Sequence, residues 1–205
     1  MINFIETNNK LNENKSSLSI TYPRTVNIIF GNFPYPEIIH NLMLEIKNNI
    51  SEKDSYTSNV KGGKTDWKYF INHPHFIKFV TYLINKHQTT HPDNFLYFLE
   101  RNEIQEAWGN EIKLNDSLNY HTHPHLHGIL YLTEGCDLNL PELNLKITPK
   151  PGDYYIFPPE VVHGFEKSTF ENNRYSLVFN VMQKGRFIFN KKLEEFNERK
   201  KSKHR

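Results

Sequence analysis

Four histidines stand at alternate positions, His121, His123, His125 and His127, at the head of a run that continues as Gly128-Ile129-Leu130-Tyr131-Leu132. In an extended strand every second side chain faces the same way. His121 and His123 would then project together, their Cα atoms roughly 6.5–7 Å apart. Two neutral imidazoles held like this can grip one divalent transition metal. Pro124 interrupts the strand, and His125 and His127 share the same parity, so either of them stands as an alternative to His123. A third ligand must come from elsewhere. Gly152-Asp153-Tyr154-Tyr155-Ile156-Phe157-Pro158-Pro159-Glu160-Val161-Val162-His163 offers His163, placed after a Pro-Gly turn and an aromatic strand. Three protein ligands on one face of a metal leave the opposite face open, as a mononuclear iron centre that activates oxygen requires. A purely structural cluster would leave many ring nitrogens in need of partners, which weighs against it.

Beyond His163 comes Asn172-Asn173-Arg174-Tyr175-Ser176-Leu177-Val178-Phe179-Asn180. Alternation puts Arg174, Ser176, Val178 and Asn180 on one face, and Tyr175, Leu177 and Phe179 on the other. A guanidinium fork with a hydroxyl two residues on suits a carboxylate. It fits the far end of a dicarboxylate whose near end chelates the metal.

The elements that must carry these groups follow from composition and pattern. A chain of 205 residues with 37% hydrophobic and 14% aromatic content fits one folded, sheet-rich domain. The net charge is +2, and the stretch from Lys191 to Arg205 holds seven Lys/Arg against three Glu. The body is therefore slightly acidic and gives no reason to expect nucleic acid as a partner. No apolar run reaches membrane-spanning length. The first residues lack the pattern of a signal peptide, and the lone Cys136 offers no internal disulfide, so the expected location is cytoplasmic.

Thr25 to Phe30 reads as a strand stopping at Gly31. Tyr35-Pro36-Glu37 opens a helix reaching about Ile50, with Pro in its first turn. A second helix is expected from His75 to His87, with His73, His75, His87 and His91 as surface or capping residues. Between the helices, residues 51–67 are polar, contain Gly62-Gly63, and are long for a connection; a lid is one reading of them. After Pro92 the texture turns to strands: Phe95–Leu99, Ile104–Ile112, the histidine run, Leu138–Ile147, Asp153–Phe157, Arg174–Val181 and Phe187–Phe189. Their turn residues point to an antiparallel sandwich or barrel.

His121-x-His123-Pro124, Gly128-Ile129-Leu130-Tyr131-Leu132, Pro151-Gly152-x-x-x-Ile156-Phe157-Pro158, His163 and Arg174-x-Ser176-Leu177-x-Phe179-Asn180 together resemble the Fe(II)/2-oxoglutarate-dependent oxygenases. The likeness is to the small prolyl-hydroxylase-like branch of bacteria and phages, and it covers about residues 105–182. It implies a mainly β fold with flanking helices, a double-stranded β-helix (jelly roll, cupin-like barrel) with the N-terminal helices packed on one sheet. One domain would span residues 1–190, with a helical part to about 92 and the jelly-roll core from about 93, followed by the basic tail 191–205. By the same resemblance His121, His123 and His163 hold Fe(II). Arg174 and Ser176 hold 2-oxoglutarate, and Tyr131 is a further candidate for that pocket. The implied reaction is hydroxylation by O2 of a small-molecule or peptidyl substrate, with release of succinate and CO2. The superfamily usually has a carboxylate where this chain has His123, so its triad would be three neutral imidazoles. Related halogenases have a small residue there, and histidine is not small. A cupin-type metal-binding or sugar-binding module shares the paired histidines and the Gly152, Pro158, His163 spacing. It normally adds a glutamate where this chain has His127 and Gly128, and Arg174-x-Ser176 favours the oxygenase.

Overall fold

A computed structural model describes residue 26 and residues 28–51, 59–90 and 102–183. The strand expected at Phe95–Leu99, the one at Phe187–Phe189, His91 and the tail 191–205 lie outside them. β1 (Ile29–Asn32) is followed by α1 (Pro36–Asn48), β2 (Val60–Lys61), β3 (Gly63–Lys64) and α2 (Pro74–Thr90). Then come β4 (Asn102–Ile112), β5 (Ser117–His121), β6 (Leu126–Tyr131), β7 (Leu138–Leu140), β8 (Leu145–Ile147), β9 (Asp153–Phe157), β10 (His163–Phe165) and β11 (Arg174–Gln183). They form a six-stranded sheet in the order β1-β9-β6-β11-β4-β3 and a five-stranded sheet in the order β2-β5-β10-β7-β8, with every pairing antiparallel. From β4 onward the chain passes back and forth between the two sheets. Residues distant in sequence therefore meet in the space between them.

The core has two layers. Between the larger sheet and the helices lie Leu42, Ile46, Phe76 and Phe79, packed with Leu130, Leu177 and Phe179. The apolar face of α1, with Ile38, Ile39, Leu42 and Ile46 all buried, is what drives it onto the sheet. Between the two sheets lie Trp108, Ile129, Tyr131, Leu138, Phe157, Phe165 and Val178. The alternation along β11 sorts its side chains as the pattern predicts: Tyr175, Leu177 and Phe179 join the helix-side core, and Val178 the inter-sheet core. Two glycines are required by close approach. A Cβ at Gly109 would lie 2.3 Å from Ile46 Cγ1, and one at Gly128 would lie 2.0 Å from Phe179 Cζ.

Several expectations need correction. The first strand runs through Gly31 to Asn32, held by Ile29↔Ile156 to Asn32↔Asp153. The histidine run is not one strand: β5 ends at His121 in the smaller sheet and β6 starts at Leu126 in the larger one, with Pro124 in the break. Leu138–Ile147 is a hairpin, β7 and β8, joined through a 3-10 turn at Pro141–Leu143. The second half of the loop 51–67 is built into the sheets. Val60 pairs with Leu118, Gly63 with Glu111, and Lys64 and Thr65 are buried. Gly62 thus links two edge strands, β2 and β3, and the remaining stretch, residues 52–58, lies outside the described residues. His87 is no surface residue either: it is buried, with Nε2 3.0 Å from the Tyr154 hydroxyl.

Candidate active site

His121 and His163 are directly opposed in the β5–β10 pairing, so their side chains share one face. Gly164 follows, where a Cβ would meet the Leu118 carbonyl oxygen at 2.7 Å, and the register shifts before Phe165. The ring orientations of these two histidines are set by the backbone. His121 Nδ1 donates to the Asn119 carbonyl at 2.7 Å, and His163 Nδ1 donates to the Val161 carbonyl at 3.0 Å. With Nδ1 protonated, the Nε2 of each neutral ring carries a lone pair. His123 lies in the break after β5, its backbone N–H donating to the Pro159 carbonyl at 3.3 Å. The ligand atoms of His121, His123 and His163 all lie within 4.8 Å of one another, the one such group among the described residues.

These residues fit a metal. The Nε2 atoms of His121 and His123 are 3.0 Å apart. Two imidazole nitrogens bound at right angles at about 2.1 Å from one ion would be separated by about that distance. The electrostatics agree. Burial holds His123 down to about 3, with His163 and His121 beside it adding to the effect. Burial and the neighbouring His121 hold His163 at about 4, and burial lowers His121 as well, against its hydrogen bond to Asn119. All three shifts favour the uncharged ring, the state that binds metal.

His127 is elsewhere than the alternation predicts. It is fully buried on β6 of the opposite sheet, and its ring stacks on that of His123 with centroids 3.6 Å apart and planes 12° from parallel. Its Nδ1 donates to Asn180 Oδ1 at 3.0 Å, and Asn180 Nδ2 donates to Glu106 Oε2 at 2.6 Å. His127 lines the same cavity as the triad without belonging to the group of converging ligand atoms. His125 belongs to neither. The Asn180–Glu106 support was not legible in the sequence, because it depends on the pairing of β11 with β4.

Arg174 and Ser176, on β11, line this cavity with the three histidines, and both are buried. Arg174 Nη1 donates to the Cys136 carbonyl at 2.7 Å, while its Nε is buried without a partner. The guanidinium carbon lies 4.7 Å from the centroid of the Phe165 ring and 5.5 Å from that of Tyr131. No carboxylate pairs with it among the described residues, and no acidic residue lines the cavity. A buried guanidinium is expensive unless an anion joins it. Tyr131 packs against Arg174 rather than lining the cavity. Its hydroxyl is buried without a partner, and burial pushes its pKa upward. Trp108, Val60, Ile129, Leu138 and Phe157 complete an apolar wall.

No family model matches the sequence, and no curated protein does. Solved structures do. A prolyl-4-hydroxylase from Pseudomonas putida superposes with a TM-score of 0.59 at 13% identity, over 78% of this chain and 94% of that one. The viral collagen prolyl hydroxylase of Paramecium Bursaria Chlorella virus-1, in its 2-oxoglutarate complex, gives 0.57 at 13% identity, over 77% and 96%. This chain has the fold of the prolyl hydroxylases. HygX from Streptomyces hygroscopicus, with nickel and 2-oxoglutarate bound, gives 0.54 at 10% identity, over 78% and 84%. No described helix is long and apolar enough to cross a membrane.

Proposed function

We propose that the protein is an Fe(II)- and 2-oxoglutarate-dependent dioxygenase that hydroxylates a small-molecule or peptidyl substrate. The observation that carries this is one cavity holding both a converging imidazole triad and a buried Arg174 with no carboxylate partner among the described residues. His121, His123 and His163 would hold the iron. Arg174 and Ser176 would anchor the distal carboxylate of 2-oxoglutarate, with Tyr131 supporting Arg174. The weave of β4 to β11 is read as a double-stranded β-helix, the core of a single domain spanning residues 1–190 and followed by the basic tail 191–205.

When bound, iron supplies the redox chemistry that couples O2 to decarboxylation of 2-oxoglutarate and oxidation of a substrate. The chain's own part is positioning and exclusion. The carbonyls of Asn119 and Val161 keep Nε2 of His121 and His163 turned inward. The apolar wall keeps water from the reacting face. Arg174 fixes the cosubstrate's far end, so that its 2-oxo acid end meets the metal in one orientation. With three neutral ligands and no acidic lining, the cavity's positive charge is left for the dianionic cosubstrate to balance. The structural neighbours take different molecules: one is a collagen prolyl hydroxylase, and HygX has been solved with hygromycin B bound. The same fold thus accommodates both classes proposed for this chain.

An anaerobic titration tests the proposal. Adding Fe(II) and then 2-oxoglutarate should raise the weak visible charge-transfer band of the chelate, and admitting O2 should release succinate. His163→Ala should lose metal binding, and Arg174→Ala should lose the band at modest cosubstrate concentration. A band of unchanged strength in Arg174→Ala would remove the assigned role, and no band in the unaltered protein would sink the function.

A further inference from the structure

We propose that His127 is a positioning residue for the metal centre, holding the ring of His123 in the plane from which it can bind. The proposal rests on the reading of His121, His123 and His163 as ligands. Metal-binding histidines are ordinarily oriented by a hydrogen bond at the ring nitrogen that does not face the metal. His121 and His163 have one each, to the carbonyls of Asn119 and Val161. His123 has none at Nδ1 among the described residues. It also sits in the irregular break between β5 and β6, where no strand pairing steadies it.

What fixes its ring is contact. His123 meets His121 edge to face, with centroids 4.8 Å apart, and lies flat on His127 at 3.6 Å and 12°. His127 is well suited to be the rigid side of that stack. It is buried on a central strand of the larger sheet, and Asn180 Oδ1 holds its Nδ1. Asn180 cannot turn over without losing its own bond to Glu106. The line Glu106, Asn180, His127, His123 thus carries the orientation of the larger sheet across the gap to a ligand rooted in a loop.

Co(II) is the probe, since its visible absorption reports ligand geometry without turnover. The unaltered chain should take up one Co(II). His127→Ala should bind it about 10- to 100-fold more weakly, in the range seen when an orienting partner is removed, with an altered visible band. His127→Phe keeps a flat ring but has no nitrogen, and should restore most of the affinity and the original band. Melting of the metal-free proteins checks that each variant folds. If His127→Ala does not fold, Asn180→Ala takes its place and should show a smaller loss in the same direction. Unchanged affinity and spectrum in the variant that truncates the stack would overturn the proposal. So would a His127→Phe protein as impaired as His127→Ala, because His127 would then be acting through a nitrogen. If the unaltered chain takes up no Co(II), or His163→Ala binds it equally well, the metal centre itself is wrong and the proposal goes with it.

Discussion

In the proposed site Arg174 would separate cosubstrate binding from metal binding, because its contacts are with Cys136, Phe165 and Tyr131 rather than with the histidines. A hydrogen bond to a charged group contributes about 1.5–3 kcal/mol. Arg174→Gln should therefore raise the dissociation constant for 2-oxoglutarate on the order of 10- to 100-fold while leaving Fe(II) affinity unchanged, as calorimetry of each ligand in turn would register. Arg174→Lys should recover little, since a point charge cannot reproduce a planar fork. The convergence of His121, His123 and His163 in one cavity with Arg174 and Ser176 was legible from residue type and spacing: a third imidazole after a Pro-Gly turn, and a guanidinium two residues from a hydroxyl. The place of His127 was left open, because parity along a strand carries across a proline only if the strand does. His87 was misread because its partner, the Tyr154 hydroxyl, lies far off in sequence on β9.

The helices reach the site only through the larger sheet, where Gly109 makes room for Ile46 of α1 and Gly128 for Phe179 of the neighbouring strand. Gly128→Ala would drive a methyl group into Phe179. Overpacking of this kind costs about 1–3 kcal/mol, so the urea midpoint should fall with no change in slope. Ile46→Ala opens a hole where the helix side chain fills the space above Gly109. It should cost about 2–5 kcal/mol, read from the same unfolding curve. Helix and strand periods announced these elements well: α1, β9 and β11 lie where the pattern puts them. The short edge strands β2 and β3 did not announce themselves. Two-residue pairings such as Val60↔Leu118 and Gly63↔Glu111 depend on partners more than forty residues away and leave no local period.

At the scale of the molecule, ligands that bind only the folded chain should stabilise it. A ligand at a hundredfold its dissociation constant adds about 2.7 kcal/mol. Mn(II), and then 2-oxoglutarate, should each raise the melting temperature by several degrees, and Arg174→Ala should keep the first step and lose the second. The antiparallel layering was foreseeable from turn residues and strand lengths. The spread of the site residues over β5, the break after it, β10 and β11 was not, since it is a property of topology and not of any segment. The acid-free lining of the cavity has a further, practical consequence. A pocket that is lined by a buried arginine and no carboxylate, and that would hold a divalent ion beside it, would attract anions. If the proposed function holds, phosphate, malonate or citrate in a purification buffer should compete with the cosubstrate, and the protein prepared in them would look inert until dialysed into a weakly coordinating salt.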